Sequence, residues 1–291
     1  MTLKWSSSIY KQITVERQIL LLSHMPDSLQ RALVRAWEQH YEDLYESEAD
    51  GTVLLEEVLE AILDSFQSSN QTLSHIRQVW MALILACVVE PTVKYYQPNN
   101  PVPEETVTLL RDWLLKTLKK VLNHQISFSK TSESEVNNTS VNVCNLHSEK
   151  KISSFQVLSE ALDVYASAIK ALEANYSVEA LLDILDDCLE GYAIFPGSYG
   201  RRELFNWWLL DIVPSSWYLL PPSSIYSLDE STDEQNLFCL KKLEDISSII
   251  WDMILSVNQD VRKIETLLNF RNTFDSLNES NIKIENNQLI S

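Results

Sequence analysis

The sequence predicts a soluble all-α domain, and three observations support this. Apolar residues recur with a helical period along most of the chain. No segment of useful length alternates apolar and polar side chains with the period of two that marks a half-buried strand. Glycine is scarce: the 291 residues include only 4 glycines. We therefore expect a single multi-helix domain of about eight or nine helices, either undivided or split into two lobes.

Two helices are predicted before residue 70. Asp27 is a suitable N-cap for the first, because it precedes a run, Leu29 to Tyr45, in which apolar residues recur at helical spacing. The pair Asp50-Gly51 ends this helix. A second helix is expected from about 52 to 66.

The next two helices are bounded by prolines. The third is expected to start near Thr72 or Ser74 and to stop before Pro91, because proline disfavours the α conformation of the residue before it. It contains the longest apolar run, Val79–Val89, which is about half of a membrane span and predicts a buried helix. The fourth helix starts at Pro103, where two glutamates follow at the positive end of the helix dipole, and ends near 123.

A polar segment divides the chain. Residues 125–150 are rich in serine, asparagine and threonine and have no apolar period, so they predict a flexible linker or loop. This places an N-terminal helical lobe at 1–124 and a C-terminal helical lobe at 151–271. Residues 272–291 predict a frayed tail.

Four helices are predicted in the C-terminal lobe. The first runs from about 153 to 175, and the second is capped by Ser177. A short helix from about 201 to 212 is expected to stop at Pro214. The last helix runs from about 234 to 270.

Three of the 4 glycines precede that short helix, at Gly191, Gly197 and Gly200. Glycine is required where φ is positive or where another group approaches too closely for a Cβ atom, so the cluster predicts a specified turn. The following Arg201 and Arg202 do not make it a phosphate-binding motif, because no strand precedes it and no known phosphate-loop pattern is present. Since cations are disfavoured at a helix N-terminus, both arginines are expected to find partners in the acidic sequence just upstream.

Charge and cysteine content exclude several classes of protein. The formal net charge is −18, whereas nucleic acids and anionic membranes are bound by basic surfaces, so we expect neither as a partner. The cysteines are far apart and form no CxxC pair, which is typical of reduced thiols. The first residues lack the charged start and apolar run of a secretory signal. Together these features predict a cytoplasmic protein.

The carboxylates are concentrated in two blocks without lysine or arginine. Residues 36–76 carry 10 of them and residues 171–200 carry 6. One interpretation is that they form solvated helix faces that keep the protein soluble. The other is that they form a negative surface that steers and binds a cationic partner. The candidate partner-binding residues lie at the start of the first block: Glu38, Glu42, Asp43, Glu46, Glu48 and Asp50.

No pattern in the sequence indicates catalysis or a cofactor. The histidines form no HExxH motif, and no nucleophile elbow is present. Cys144 and His147 have the only metal-like spacing, but they lie in the predicted linker without a second pair of ligands. We therefore expect no catalytic, cofactor-binding or metal-binding residues.

Aromatic residues are densest between 205 and 218. Trp207 and Trp208 are adjacent and point about 100° apart on a helix, so they cannot line one site together. The expected role of this group is to fill the core and the seam between the two halves of the chain: Phe205, Trp207, Trp208, Trp217 and Tyr218.

One stretch resembles a known family. The order of an arginine pair, an aromatic-x-Trp-Trp-Leu run, Val-Pro and a final tryptophan between Arg201 and Trp217 is similar to the C-terminal pattern of the all-α immunity proteins of bacterial polymorphic toxin systems, the fifth family in the usual numbering. The segment His24–Trp37 is similar to the family's opening helix. The matching pattern residues, which the resemblance implies are structural, are Arg201, Arg202, Phe205, Trp207, Trp208, Val213, Pro214 and Trp217.

The resemblance implies a non-catalytic cytoplasmic immunity protein without a cofactor. Such a protein binds and neutralises a cognate toxin domain, and the acidic charge of this chain suits a basic toxin. The alternative is a helical scaffold or regulatory adaptor protein unrelated to toxins. An enzyme with an unrecognised site is a third possibility.

Overall fold

The computed structural model describes residues 21–23, 25–38, 54–66, 70–126, 153–194, 201–225 and 233–256. These ranges contain α-helices, two π-helical turns and no strand, which confirms the predicted all-α class. In chain order the helices are α1 (Asp27–Glu38), α2 (Leu55–Asp64), α3 (Gln71–Tyr96), α4 (Val102–Ile126), α5 (Ser153–Lys170), α6 (Ser177–Leu185), α7 (Arg201–Trp207), α8 (Val213–Tyr218) and α9 (Asp233–Ser256).

Helix α3 is the centre of the molecule. Every residue of the predicted buried run Val79–Val89 is buried, which confirms that prediction. Helices α4, α5, α6, α8 and α9 all pack against α3, so elements from both sides of residues 127–152 share its surface. By length and composition α3 would suffice to cross a membrane, but 83% of its most apolar window is buried inside the fold.

The predicted stop of α3 before Pro91 is wrong, because the helix continues to Tyr96. Pro91 has no N–H to donate to the carbonyl of Cys87, one turn earlier. That carbonyl accepts a hydrogen bond from the Cys239 thiol of α9 instead, at 3.3 Å. The next turn is fixed by Thr92, whose hydroxyl donates to the carbonyl of Ala193 at 2.7 Å. Contacts with distant residues thus compensate for the proline.

The predicted stop at Pro214 is also wrong. Helix α7 passes through a π-helical turn, Trp208–Ile212, directly into α8. The N–H of Val213 donates to the carbonyl of Trp208, five residues earlier. This bond closes the wider ring that defines a π turn. Pro214 lies in the first turn of α8, where its fixed φ suits the helix.

Ser177 does not cap α6, since the N-cap position is Tyr176. The Ser177 hydroxyl instead donates to the side-chain oxygen of Gln78 at 2.7 Å and joins α6 to α3.

The left-handed backbone conformation that is usual for glycine occurs at Leu219, which ends α8 with a φ of 57°.

Other helix ends differ modestly from the prediction. Helix α5 ends at Lys170 rather than near 175, and α4 extends to Ile126, so residues 125 and 126 belong to a helix and not to the predicted linker. The rest of that linker, the tail at 272–291 and the continuation of the last helix to 270 lie outside the described residues. The division into two lobes stays a prediction.

Candidate functional site

The first acidic block continues from the end of α1 onto α2. Glu38, the last residue of α1, is exposed, while Glu42, Asp43, Glu46, Glu48 and Asp50 lie outside the described residues. On α2 the carboxylates are exposed on the side opposite the buried apolar residues. The spacing in the sequence predicts this arrangement. The exposed carboxylates of α2 are Glu56, Glu57, Glu60 and Asp64.

The two acidic blocks meet in the folded molecule, because α2 packs against α6. Burial raises the pKa of Glu190, which follows α6, and the negative charges of Asp186 and Glu56 add to that rise. A carboxylate of the first block therefore acts electrostatically on one of the second, although the two are far apart in the sequence.

Helix α5 adds carboxylates that the sequence analysis missed. Burial and the neighbouring charges of Asp163 and Glu160, both on α5, together raise the pKa of Asp187 to about 7. Asp186 and Asp183 contribute in the same direction. The i, i+3 spacing of the two α5 carboxylates places them on one helix face, and this spacing is the feature of the sequence that could have predicted their contribution. We call this surface the acidic face, defined by Glu56, Glu160, Asp163, Asp183, Asp186, Asp187 and Glu190.

Gly191 lies beside two residues of the acidic face, Asp187 and Glu160. Its φ of −81° is accessible to any residue, so a left-handed turn is not the reason for glycine here. A Cβ atom at this position would lie 2.6 Å from the backbone oxygen of Asp187 and 2.7 Å from Oε2 of Glu160. The specified turn that the sequence predicts is thus required by close approach. Gly197 and Gly200 lie outside the described residues.

Two cationic side chains border the acidic face. Lys170 of α5 forms ion pairs with Glu179 at 3.0 Å and Asp183 at 3.2 Å. Arg201 at the start of α7 lies over the ring of Tyr192, with 5.6 Å between the guanidinium carbon and the ring centroid. The charge of Arg201 lowers the pKa of Glu190 against the larger effect of burial. Arg201 therefore has its electrostatic partner in the upstream acidic block.

The pattern residues of the family resemblance lie mostly in the core. Phe205, Trp208, Val213, Pro214 and Trp217 are buried, whereas Arg201 and Trp207 are half-buried and Arg202 is exposed. The two adjacent tryptophans have different surroundings. Trp208 is buried, whereas the half-buried Trp207 donates its indole N–H to the carbonyl of Ser224 at 3.0 Å.

Trp217 connects the two halves of the chain. The Arg77 guanidinium of α3 stacks 3.4 Å from its ring centroid, and Arg77 Nε donates to its carbonyl at 2.8 Å. Its ring also meets Phe66 edge-on at 5.6 Å. The neighbouring Tyr218 hydroxyl donates to the carbonyl of Leu21 at 3.1 Å.

A buried carboxylate that the sequence analysis missed lies in the same region. Asp211 is 1% exposed and accepts hydrogen bonds from both the backbone N–H and the hydroxyl of Ser223, at 2.9 and 2.6 Å. The N–H of Ser224 and the hydroxyl of Ser215 also donate to it. Asp211 therefore fastens the loop after α8 to the π turn.

A cleft of about 620 Å³ lies between α1 and α2. Alanine side chains and Val58 line part of it, and its charged residues are Arg31, Arg35, Glu38 and Glu57. Glu38 is thus part of a cleft of mixed charge, separate from the residues that define the acidic face.

The described part of the chain contains no group of three or more His, Cys, Asp or Glu side chains that could hold a metal ion. Cys144 and His147 lie outside it. Cys87, Cys188 and Cys239 are buried free thiols, and burial raises the pKa of each.

No family model, no curated protein and no solved structure matches this chain.

Proposed function

We propose that this chain is a non-catalytic cytoplasmic immunity protein, which binds and neutralises a basic toxin domain through its acidic face. The observation that carries the proposal is the meeting of the two acidic blocks on one surface, joined by two carboxylates of α5. Carboxylates gathered in this way repel one another, and burial together with this repulsion raises the pKa of Asp187. A cationic partner would relieve it.

Electrostatics suit the inhibition of a toxin. Complementary charge accelerates encounter and selects against partners of the wrong sign. The net charge of −18 extends the field of the acidic face well beyond the contact region at low salt. The resemblance of the Arg201–Trp217 segment to immunity proteins supports the class of function, while the acidic face supports the location of the interface.

The test uses the protein encoded by the gene next to this one. Its expression in bacterial cells should stop growth, and co-expression of the chain should restore growth and yield a complex with the purified partner. Glu56→Lys with Glu190→Lys should weaken both rescue and binding. The control pair Asp112→Lys and Glu244→Lys, at exposed positions on α4 and α9, should not.

Two other outcomes would contradict the proposed function or the proposed interface. A neighbouring protein that is harmless and does not bind the chain would contradict the proposal and favour the scaffold or adaptor alternative. Rescue that survives both double variants equally would leave the immunity function standing and move the interface away from the acidic face.

A further inference from the structure

Tyr192 is an aromatic residue exposed at the edge of the acidic face. It comes shortly after the π turn Asp186–Glu190, and 40% of its surface is exposed. Two residues of the acidic face are its neighbours: Glu190 precedes it by two positions, and Glu160 accepts a hydrogen bond from its backbone. Tyrosine is enriched at binding hot spots, because it offers a large contact area with few rotatable bonds.

The backbone around Tyr192 is fixed by other elements. Its N–H donates to Oε2 of Glu160 on α5 at 2.5 Å. The N–H of the next residue, Ala193, donates to the carbonyl of Asp187 at 3.1 Å. The carbonyl of Ala193 accepts a hydrogen bond from the hydroxyl of Thr92 on α3 at 2.7 Å. The ring is therefore presented from a held backbone, which lowers the entropy that binding through it would cost.

The ring of Tyr192 already holds a guanidinium group. The guanidinium carbon of Arg201 lies 5.6 Å from the ring centroid, within the range of a cation–π interaction. The charge of Arg201 also acts on Glu190, whose pKa it lowers. The ring and this carboxylate thus accommodate one arginine side chain between them, and Tyr192 stays exposed to solvent despite the contact.

We propose that Tyr192 and Glu190 form an arginine-binding position at the edge of the acidic face, which Arg201 occupies in the free chain and an arginine of the basic partner occupies in the complex. The natural ligand rests on the proposed function, because the toxin domain supplies that arginine. A planar guanidinium stacks on an aromatic ring and donates to a carboxylate at the same time, whereas a lysine ammonium is a strongly hydrated point charge. The position therefore selects arginine over lysine.

Titration of the full chain with hexa-arginine and hexa-lysine peptides tests the position without the toxin. The parent should bind hexa-arginine more tightly than hexa-lysine. Tyr192→Ala should weaken the binding of hexa-arginine by about two- to fivefold, the size of a cation–π contact at an exposed site. Tyr192→Phe, which keeps the ring, should bind like the parent. The control Tyr176→Ala, which removes an exposed tyrosine next to α6, should also bind like the parent.

A second pair of variants tests the role of Arg201 as the internal occupant. Arg201→Ala should strengthen the binding of hexa-arginine, because the peptide no longer has to displace this side chain. Arg202→Ala removes the same charge from the next position, which is exposed, and so measures the effect of the charge alone. We expect the gain from Arg201→Ala to be the larger of the two.

NMR of the unmodified chain locates the peptide directly. On addition of hexa-arginine, the ring protons of Tyr192 should shift more than those of Tyr176. Three results would each overturn the proposal: no binding of hexa-arginine to the parent, binding to Tyr192→Ala that is as tight as to the parent, or equal gains from the two arginine variants. None of these measurements uses the toxin, so failure of the arginine-binding position and failure of the proposed function are separate results.

Discussion

At the scale of single residues, the structural role of Gly191 can be predicted from the sequence, whereas that of Asp211 cannot. The scarcity of glycine predicts that Gly191 is required, and the reason is the close approach of Glu160 and of the Asp187 backbone. Asp211 resembles any other acidic residue in the sequence. Apart from Ser215, its partners come from a loop 12 and 13 residues away, on the far side of α8. Sequence pattern alone therefore cannot distinguish Asp211 from a surface carboxylate.

Replacement of Asp211 by alanine should destabilise the protein by about 2 kcal/mol, because it leaves the half-buried N–H and hydroxyl donors of Ser223 without their acceptor. Chemical denaturation of the variant and the parent checks this value. The control is Asp112→Ala, which removes an exposed ion pair with Arg111 and should cost less than about 1 kcal/mol. Equal loss from the two variants would mean that Asp211 is not an anchor.

At the scale of elements, the period of the apolar residues predicts which segments are helical, but the two prolines mislead about where helices end. The expectation that α3 stops at Pro91 considers only the backbone around the proline. The continuation of the helix depends on two contacts with distant residues, from Cys239 to the carbonyl of Cys87 and from Thr92 to the carbonyl of Ala193. The same holds for Pro214, which is accommodated by a π turn. Helix existence is thus encoded locally, while helix ends depend on tertiary contacts.

The C-terminal part of α3 contains an ion-pair triad that links it to α9, and only its carboxylate, Glu90, is buried. Glu90 bonds to Lys94 within α3 at 2.5 Å and to Lys242 of α9 at 3.0 Å. Burial alone would raise the pKa of Glu90, but the two lysines outweigh it and hold the pKa below its ordinary value. Both ammonium groups also lie within 6 Å of the Phe238 ring centroid, at 5.6 and 5.1 Å.

Glu90→Gln should therefore destabilise the protein by about 1–2 kcal/mol at neutral pH, because a neutral amide replaces the carboxylate that accepts both charged hydrogen bonds, while the two part-exposed lysines keep contact with water. The stabilisation by ionised Glu90 is present above its ordinary pKa of 4.5 and lost as the pH falls through the lower folded value. The stability difference between parent and variant should accordingly shrink below pH 4.5. Urea denaturation at pH 7 and pH 3.5 measures this difference, with Glu244→Gln on α9 as the exposed control. A difference that is the same at both pH values would contradict it.

At the scale of the whole molecule, the sequence predicts two separate acidic blocks but not the acidic face. Their meeting depends on the packing of α2 against α6, and the contribution of α5 depends on its own packing against α6 and the π turn that follows it. The aromatic residues near the C-terminal end of α8 are different. Their burial and their position between the two halves follow from their size and apolar character, which the sequence displays directly.

The central claim is that the acidic face binds a basic partner, and association kinetics test it most directly. The purified neighbouring protein should bind the parent chain with an on-rate that falls steeply as the salt concentration rises, because steering is screened beyond a Debye length of about 8 Å at physiological salt. Neutralising four residues of the acidic face should slow association and flatten the salt dependence: Glu56→Gln, Asp183→Asn, Asp186→Asn and Glu190→Gln.

A matched variant carries the same number of changes at exposed positions on α4 and α9: Asp112→Asn, Glu244→Gln, Asp245→Asn and Asp252→Asn. Both variants change the net charge equally, so only the position of the charge differs. We expect the matched variant to keep most of the parent's on-rate and salt slope at low and high ionic strength. Equal effects of the two variants, or no effect of either, would contradict binding through the acidic face.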